Sequence, residues 1–276
     1  MSIIPGVRIM GNVVDDRQSV SLLPPTQVPT ASARSFGLSV IDNIGSLLTE
    51  SFRLRYQVYC VERQFLQAAD YPRGLEFDQF DEASVHVGAV DGDGRLAGTA
   101  RVVLPVNGTL PTLTHCTSSP LAEPLWGRTQ RWVEVSRLSV SRSYGRTNHH
   151  PSMRAQGVRD RGDILLAVTK AAFLASKRLG ATHILVSIER SLARVLTRNG
   201  FPFCQVGPQF DYLGAVAPYS MDISAFEGIA RSGRYPQISD FVVDSEIAGS
   251  SETDSGQFFR EVPLTVVVNR DVAFQT

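Results

Sequence analysis

The sequence predicts a mixed α/β domain in which one mixed β-sheet is covered by helices. Three observations predict it. Helical and strand periodicities alternate from about residue 44 to residue 223. Two adjacent strand-like runs are joined by Asp91-Gly92-Asp93-Gly94, a turn signal that favours an antiparallel hairpin. At 276 residues the chain can bury a substantial core, as one large domain or one domain with appendages.

Residues 1–36, with Pro24-Pro25, Pro29 and many Ser and Thr, read as a flexible leader. From Ile44 to about Val61, Leu47-Leu48, Leu54, Val58 and Tyr59 keep rough helical register, so an amphipathic helix is expected. Ser84–Val90 and Arg95–Leu104 are the hairpin strands, and Trp132–Val140 is a further strand. Asp163 is placed to N-cap a helix whose apolar positions Ile164, Val168, Ala171, Ala172, Ala175 and Leu179 recur at helical spacing. Lys177-Arg178 and Gly180 are its stop signals. A strand at His183–Ile188, a helix at Ser191–Arg198 ended by Asn199-Gly200, and short strands near Phe201–Val206 and Tyr219–Ile223 complete the order. The domain is expected over residues 37–226. Residues 227–276 read as a C-terminal extension, with a small polar linker at 248–256 and a tail strand, Pro263–Val268.

The formal net charge is zero, which argues against a whole-molecule field for nucleic acid, and no nucleic-acid partner is expected. Charge is nonetheless uneven. Arg128, Arg131, Arg137, Arg142, Arg146, Arg154, Arg159 and Arg161 crowd a stretch whose acids are Glu134 and Asp160. That stretch is either a solvated loop or a docking surface for an acidic partner. Cys60, Cys116 and Cys204 are odd in number and widely spaced, so a reducing compartment is expected rather than a disulfide framework. Cys60 and Cys204 sit in apolar contexts and read as small core residues. His149-His150 has no Cys/His set at ligand spacing beside it, so no metal site is expected. Met1–Gly6 breaks too early for a secretory h-region and no apolar run is long enough for a transmembrane segment, which predicts a cytoplasmic location.

Three charged strings stand out: Glu76-Phe77-Asp78-Gln79-Phe80-Asp81, Gly98-Thr99-Ala100-Arg101, and Val133-Glu134-Val135-Ser136-Arg137-Leu138. Each sets ionised groups inside apolar, strand-like sequence, where a charge is costly to bury unless it is paired or used. The upstream carboxylates and downstream arginines neutralise one another if the strands converge, which marks a candidate active site. Strand alternation puts Trp132, Glu134, Ser136, Leu138 and Val140 on one face and Val133, Val135, Arg137 and Ser139 on the other. Glu134 then shares a largely apolar face with a hydroxyl, where desolvation raises its pKa toward the range of a general base. The alternative is that Glu134 merely pairs with Arg101 or Arg137.

Taken in order, Arg55-Tyr56-Gln57-Val58-Tyr59, the Glu76, Asp78 and Asp81 string, Arg101, and Glu134-Val135-Ser136-Arg137 resemble the acyl-homoserine-lactone synthases. They resemble still more closely the long-chain N-acyl amino acid synthases and the exosortase-associated acyltransferases. Ser191–Phe201, Gly207-Pro208, Tyr212-Leu213-Gly214 and Pro218-Tyr219 are similar to the closing segments of that second group. Phe65 stands where the lactone synthases usually have Trp, and the chain runs past their usual end. The resemblance implies a GNAT-like fold. In that fold a glycine-rich turn after the central strand receives a coenzyme A pyrophosphate. Here Arg142-Ser143-Tyr144-Gly145-Arg146-Thr147 keeps one glycine and runs into arginines, which favours an acyl group carried on a protein.

The expected activity is therefore transfer of a long fatty acyl group from acyl carrier protein to the amino group of an amino acid or similar small amine. The donor is the carrier's acyl-phosphopantetheine thioester, and the protein itself binds no cofactor. Glu134 is the base and attack is direct. Ser136 positions the acceptor or donates toward the thioester carbonyl, unless it is a plain strand serine; no nucleophile-elbow glycines flank it. Arg55, Arg101 and Arg137 suit a phosphate or a carboxylate, or else pair with Glu76, Asp78 and Asp81. Asp78 and Asp81 fix a loop over the acceptor or bind its ammonium, and Phe65 is expected beside the substrate. Arg142, Arg146 and Arg154 are expected on the carrier-docking surface. Two alternatives stand: a lactone synthase using S-adenosylmethionine, and a non-catalytic module that binds acyl carrier protein. The intact charge cluster argues against the second.

Overall fold

In a computed structural model of the chain, residues 37–41, 46–91, 94–116, 130–140, 142 and 161–242 are described. Strand β1 (Gly37–Ile41), which the sequence pattern did not predict, pairs antiparallel with β2 (Ser84–Val90), and β2 pairs antiparallel with β3 (Leu96–Val103). The hairpin expected from Asp91-Gly92-Asp93-Gly94 is thus present, although Gly92 and Asp93 lie outside the described residues. β3 pairs antiparallel with β4 (Trp132–Val140), which runs parallel to β5 (His183–Ile188). β8 (Ala215–Asp222) closes on β5 and carries two short partners, β6 (Cys204–Gln205) and β7 (Phe210–Asp211). The order along the sheet is β1-β2-β3-β4-β5-β8-β6.

Helices cover both faces. α1 (Ser46–Tyr56) continues as a π-helical turn over Gln57–Glu62 and packs across β3 and β4. α3 (Arg161–Arg178) packs on the opposite face, against β1 to β4, with the short α2 (Pro111–His115) between β3 and β4 in sequence. Ile164 and Val168 of α3 press on Gly98, where an added Cβ would sit 2.8 Å from each, so β3 needs glycine there for the close approach. Asp163 lies inside the first turn of α3 rather than at its N-cap, and Gly180, at φ +71°, ends the helix as expected.

The main core runs from α3 to the far end of the described chain. α4 (Arg190–Arg198) and α5 (Ile223–Arg231) bury Leu196, Phe226 and Ala230 in it, and Ile238, Phe241 and Val242 follow. The Phe226 ring meets Phe173, Phe201 and Phe241 at 4.8, 4.9 and 5.7 Å. The core therefore extends past the expected boundary at residue 226. Asp222 caps α5 by accepting from the backbone N–H of Ser224 and Ala225.

All three cysteines are free; Cys60 and Cys116 are buried, while Cys204 is exposed on the edge strand β6 and not a core residue. Among the described residues no helix is long and apolar enough to cross a membrane. The leader, His149-His150, the 248–256 linker and the tail strand lie outside the described residues.

β4 departs from simple alternation at one point. Arg101 pairs with Ser136 but Thr99 pairs with Ser139, so Arg137 and Leu138 together oppose Ala100, and Arg137 takes φ +54°. This is a β-bulge. Before it, Val133 and Val135 face the α3 core; after it, Leu138 and Val140 do. The expected faces are corrected accordingly: Leu138 and Val140 leave the side of Glu134, and Arg137 turns onto it.

Candidate active site

α1, the 76–81 segment, β3 and β4 meet in one buried ion network. Arg55, 1% exposed, donates from Nε to Glu76 at 2.5 Å and from Nη1 and Nη2 to Asp81 at 2.6 and 3.0 Å. Arg101, 0% exposed, forks onto Asp78 at 2.6 and 2.9 Å, reaches Asp81 at 2.8 Å, and donates from Nε to Ser136 Oγ at 3.0 Å. Arg137 donates to Glu76 at 3.1 Å and Asp78 at 2.8 Å. Three guanidiniums thus face three carboxylates, and planar forks match each acid in the geometry that offsets desolvation. Burial alone would raise Asp81, but Arg55 and Arg101 hold it well below the carboxylate range. Burial, with Arg55 and Arg101 nearby, pushes His86 down to about 4, so it stands neutral beside Asp81 at 3.7 Å.

Arg55, Glu76 and Asp81 are therefore frame, their polar atoms spent on one another, on Arg101 and Arg137, and on the Asp78 backbone N–H. The sequence left Arg55 either an anion ligand or a partner of these acids, and the chain adopts the pairing with Glu76 and Asp81. Asp78 is the carboxylate of the network that reaches solvent, its side chain 22% exposed. Among the described residues, Glu134 does not pair with Arg101 or Arg137, the alternative the sequence left open. Glu134 is 2% exposed and accepts the backbone N–H of Thr112 at 2.8 Å. Burial pushes its pKa up to about 7; the Thr112 hydrogen bonds and the more distant Arg101 and Arg137 only partly offset that. Around it Phe80, Val103, Leu110, Trp132 and Leu185 form a second apolar cluster.

Glu134 occupies a particular place in the sheet. Parallel pairing between β4 and β5 runs through Trp132↔His183, Val133↔Ile184 and Glu134↔Leu185 and stops there, although β4 continues to Val140 and β5 to Ile188. The strands part at the carboxylate. α2 fills the space beside it: Pro111 sits in its first turn, and Thr112 Oγ1 lies 2.6 Å from Ser187 Oγ of β5.

Aromatic side chains border the network. Arg137 lies over the rings of Tyr59 and Tyr212, 5.5 and 6.0 Å from their centroids, and donates to the Tyr212 hydroxyl at 3.3 Å. His115 stacks on Tyr212 at 3.8 Å. Phe65 packs on Gly214, whose φ of +103° and lack of Cβ admit the ring. Phe65 is thus on the Tyr212 side of the site, outside the ion network. Of the arginines expected on a docking surface, Arg142 is exposed, its backbone N–H bonded to Glu62. Arg146 and Arg154 lie outside the described residues. Sequence reasoning missed Thr112, Ser187, His115 and His86; a proline at the start of a helical turn, Leu110-Pro111-Thr112, was the one available signal for α2.

Residues 54–154, from the end of α1 through β4, match the family described as acetyltransferase (GNAT) domain. Over those residues the chain is similar to GNAT acetyltransferases, and its fold is GNAT-like. Its fold is similar to the crystal structure of TofI in a ternary complex with an inhibitor and MTA, with 20% identity, TM-score 0.51, and coverage of 68% of this chain and 94% of that chain. FeeM, an N-acyl amino acid synthase from uncultured soil microbes, aligns at 12% identity and TM-score 0.47 over 69% of this chain and 92% of its own. BjaI, a CoA-dependent acyl-homoserine lactone synthase in complex with SAM and isopentyl-CoA, aligns at 19% and 0.47 over 73% and 92%.

Proposed function

We propose that this acyltransferase moves a long fatty acyl group from acyl carrier protein to the amino group of an amino acid or similar small amine, with Glu134 as general base. The observation that carries the reading is one buried carboxylate, pushed up to about 7, at the point where β4 and β5 part. An acceptor amine is mostly protonated at neutral pH, and a carboxylate of that pKa takes its proton efficiently, directly or through water. Beyond Glu134 and Leu185 the facing edges of β4 and β5 are not paired with each other, which suits an extended pantetheine arm lying between them. The arm's thioester then reaches the base. Ser136 already accepts from Arg101, so its own proton is left to donate toward the thioester carbonyl. Asp78, which reaches solvent, receives the ammonium of the acceptor, and its buried partner Arg137 receives the carboxylate.

A carrier protein is favoured as donor by exposed arginines. Arg142 is one. Arg190, Arg194 and Arg198 stand four residues apart along α4 and, with Thr197 and Tyr219, line an open depression of about 390 Å³. Mass spectrometry of lipids from a host expressing this chain tests the reading. N-acyl amino acids that accumulate with the wild type and not with Glu134→Gln are the expected result. An acyl-homoserine lactone in their place assigns S-adenosylmethionine as acceptor, and carrier binding without any product leaves only a binding module.

A further inference from the structure

A base buried to 2% exposure must lose the proton it takes before it can act again, and Glu134 has no open surface through which to lose it. Its contacts lead one way. Thr112, itself 0% exposed, donates its backbone N–H to the carboxylate at 2.8 Å, and its Oγ1 lies 2.6 Å from Ser187 Oγ. Ser187 is half-buried. Leu185 belongs to the apolar cluster around Glu134 whereas Val186 belongs to the α3 core, so alternation puts Ser187 on the Glu134 face. It stands two residues beyond the last β4–β5 pair, inside the mouth where the strands separate. The residue that holds Glu134 thus carries a hydroxyl bonded to Ser187, which places two linked hydroxyls between the base and the β5 wall.

We propose that Thr112 and Ser187 are the proton exit of Glu134, and that Ser187 delivers the amine's proton to the thiolate leaving the acyl donor. The inference rests on the reading of Glu134 as base. With Glu134 ionised, Ser187 donates to Thr112 and Thr112 donates to the carboxylate. For a neutral amine in the site, nitrogen attacks the thioester carbonyl and the N–C bond forms while a proton passes from nitrogen to Glu134. The chain then reverses. Glu134 gives its proton to Thr112 Oγ1, Thr112 gives its own to Ser187 Oγ, and Ser187 gives its own to sulfur as the C–S bond breaks and its electron pair stays on sulfur. Amine and thioester become amide and thiol, with each hydroxyl restored and no further reactant. An acceptor that arrives as ammonium sheds its extra proton to water by the same route.

The experiment uses the full chain with palmitoyl-loaded acyl carrier protein as donor, proteinogenic amino acids and S-adenosylmethionine as acceptors, and released carrier thiol as readout. Thr112→Val, which keeps the backbone N–H on Glu134, and Ser187→Ala are each expected to lower kcat by roughly tenfold or more with KM within about twofold. The solvent deuterium isotope effect on kcat rises in both, because proton transfer becomes limiting. Thr112→Ser and Ser187→Thr, which keep the hydroxyls, restore kcat and the small isotope effect. Wild-type kcat in Thr112→Val and Ser187→Ala, alongside an inert Glu134→Gln, overturns the relay and leaves the base. A loss of kcat that the hydroxyl-keeping variants do not restore, or that leaves the isotope effect unchanged, also overturns it. Turnover by Glu134→Gln at the wild-type rate, or no thiol release with any acceptor, removes the base and the relay with it.

Discussion

Glu134 is held against its own stability. Its ordinary pKa of 4.5 is pushed up to about 7 in the fold, so the native state prefers the protonated acid. Stability from this group is fully present below pH 4.5 and is lost as pH rises through about 7. Glu134→Gln, which stays neutral, is expected to unfold at higher denaturant than wild type at pH 8, by roughly 2–3 kcal/mol, with the gap closing at acid pH. Equal stability at pH 8 would mean the carboxylate is not desolvated. Arg55 is the opposite case. Arg55→Ala leaves Glu76 and Asp81 without their principal cation, and a loss of about 3–5 kcal/mol in chemical denaturation is expected. A loss under about 1 kcal/mol would show that the ion network is not the frame of the site.

Elements position these residues, and they differ in how far the sequence disclosed them. The β2–β3 hairpin, β4, β5, α3 and α4 were legible because turn residues and periodicity act within a few residues of each other. Arg101, Glu134 and Arg137 were legible because charge in an apolar strand is costly without a partner, whereas Arg55, on α1, was singled out only through the family resemblance. The β4 bulge was not. Nothing in Ser136-Arg137-Leu138 announces a positive φ at Arg137, a conformation that an arginine adopts only when its surroundings enforce it, here three bonds from its guanidinium to Glu76, Asp78 and Tyr212. The bulge turns Arg137 onto the face of Ser136. Without it the arginine would point into the α3 core. α2 is too short for periodicity, so the Thr112 contact to Glu134 comes entirely from tertiary packing. β1 and α5 were missed for a related reason, since their partners lie far away in sequence.

At the scale of the molecule, a chain of zero formal net charge still presents a local basic face along α4. Charge reversal of Arg190, Arg194 and Arg198 to Glu is expected to raise the apparent KM for an acyl carrier protein donor while leaving kcat near wild type. Wild-type affinity for the carrier falls with added salt because exposed charges are screened. Calorimetry that finds the triple variant binding as wild type moves the docking surface elsewhere. The whole fold converges on one carboxylate where two parallel strands part, and a pH–rate profile tests that convergence most directly. With palmitoyl-loaded acyl carrier protein and its best acceptor, kcat/KM of the wild type is expected to rise with pH through a midpoint near 7, as Glu134 ionises. Glu134→Gln loses that limb and falls by roughly 10²- to 10⁴-fold while remaining folded. A Gln variant that keeps both the midpoint and the rate would contradict Glu134 as the base.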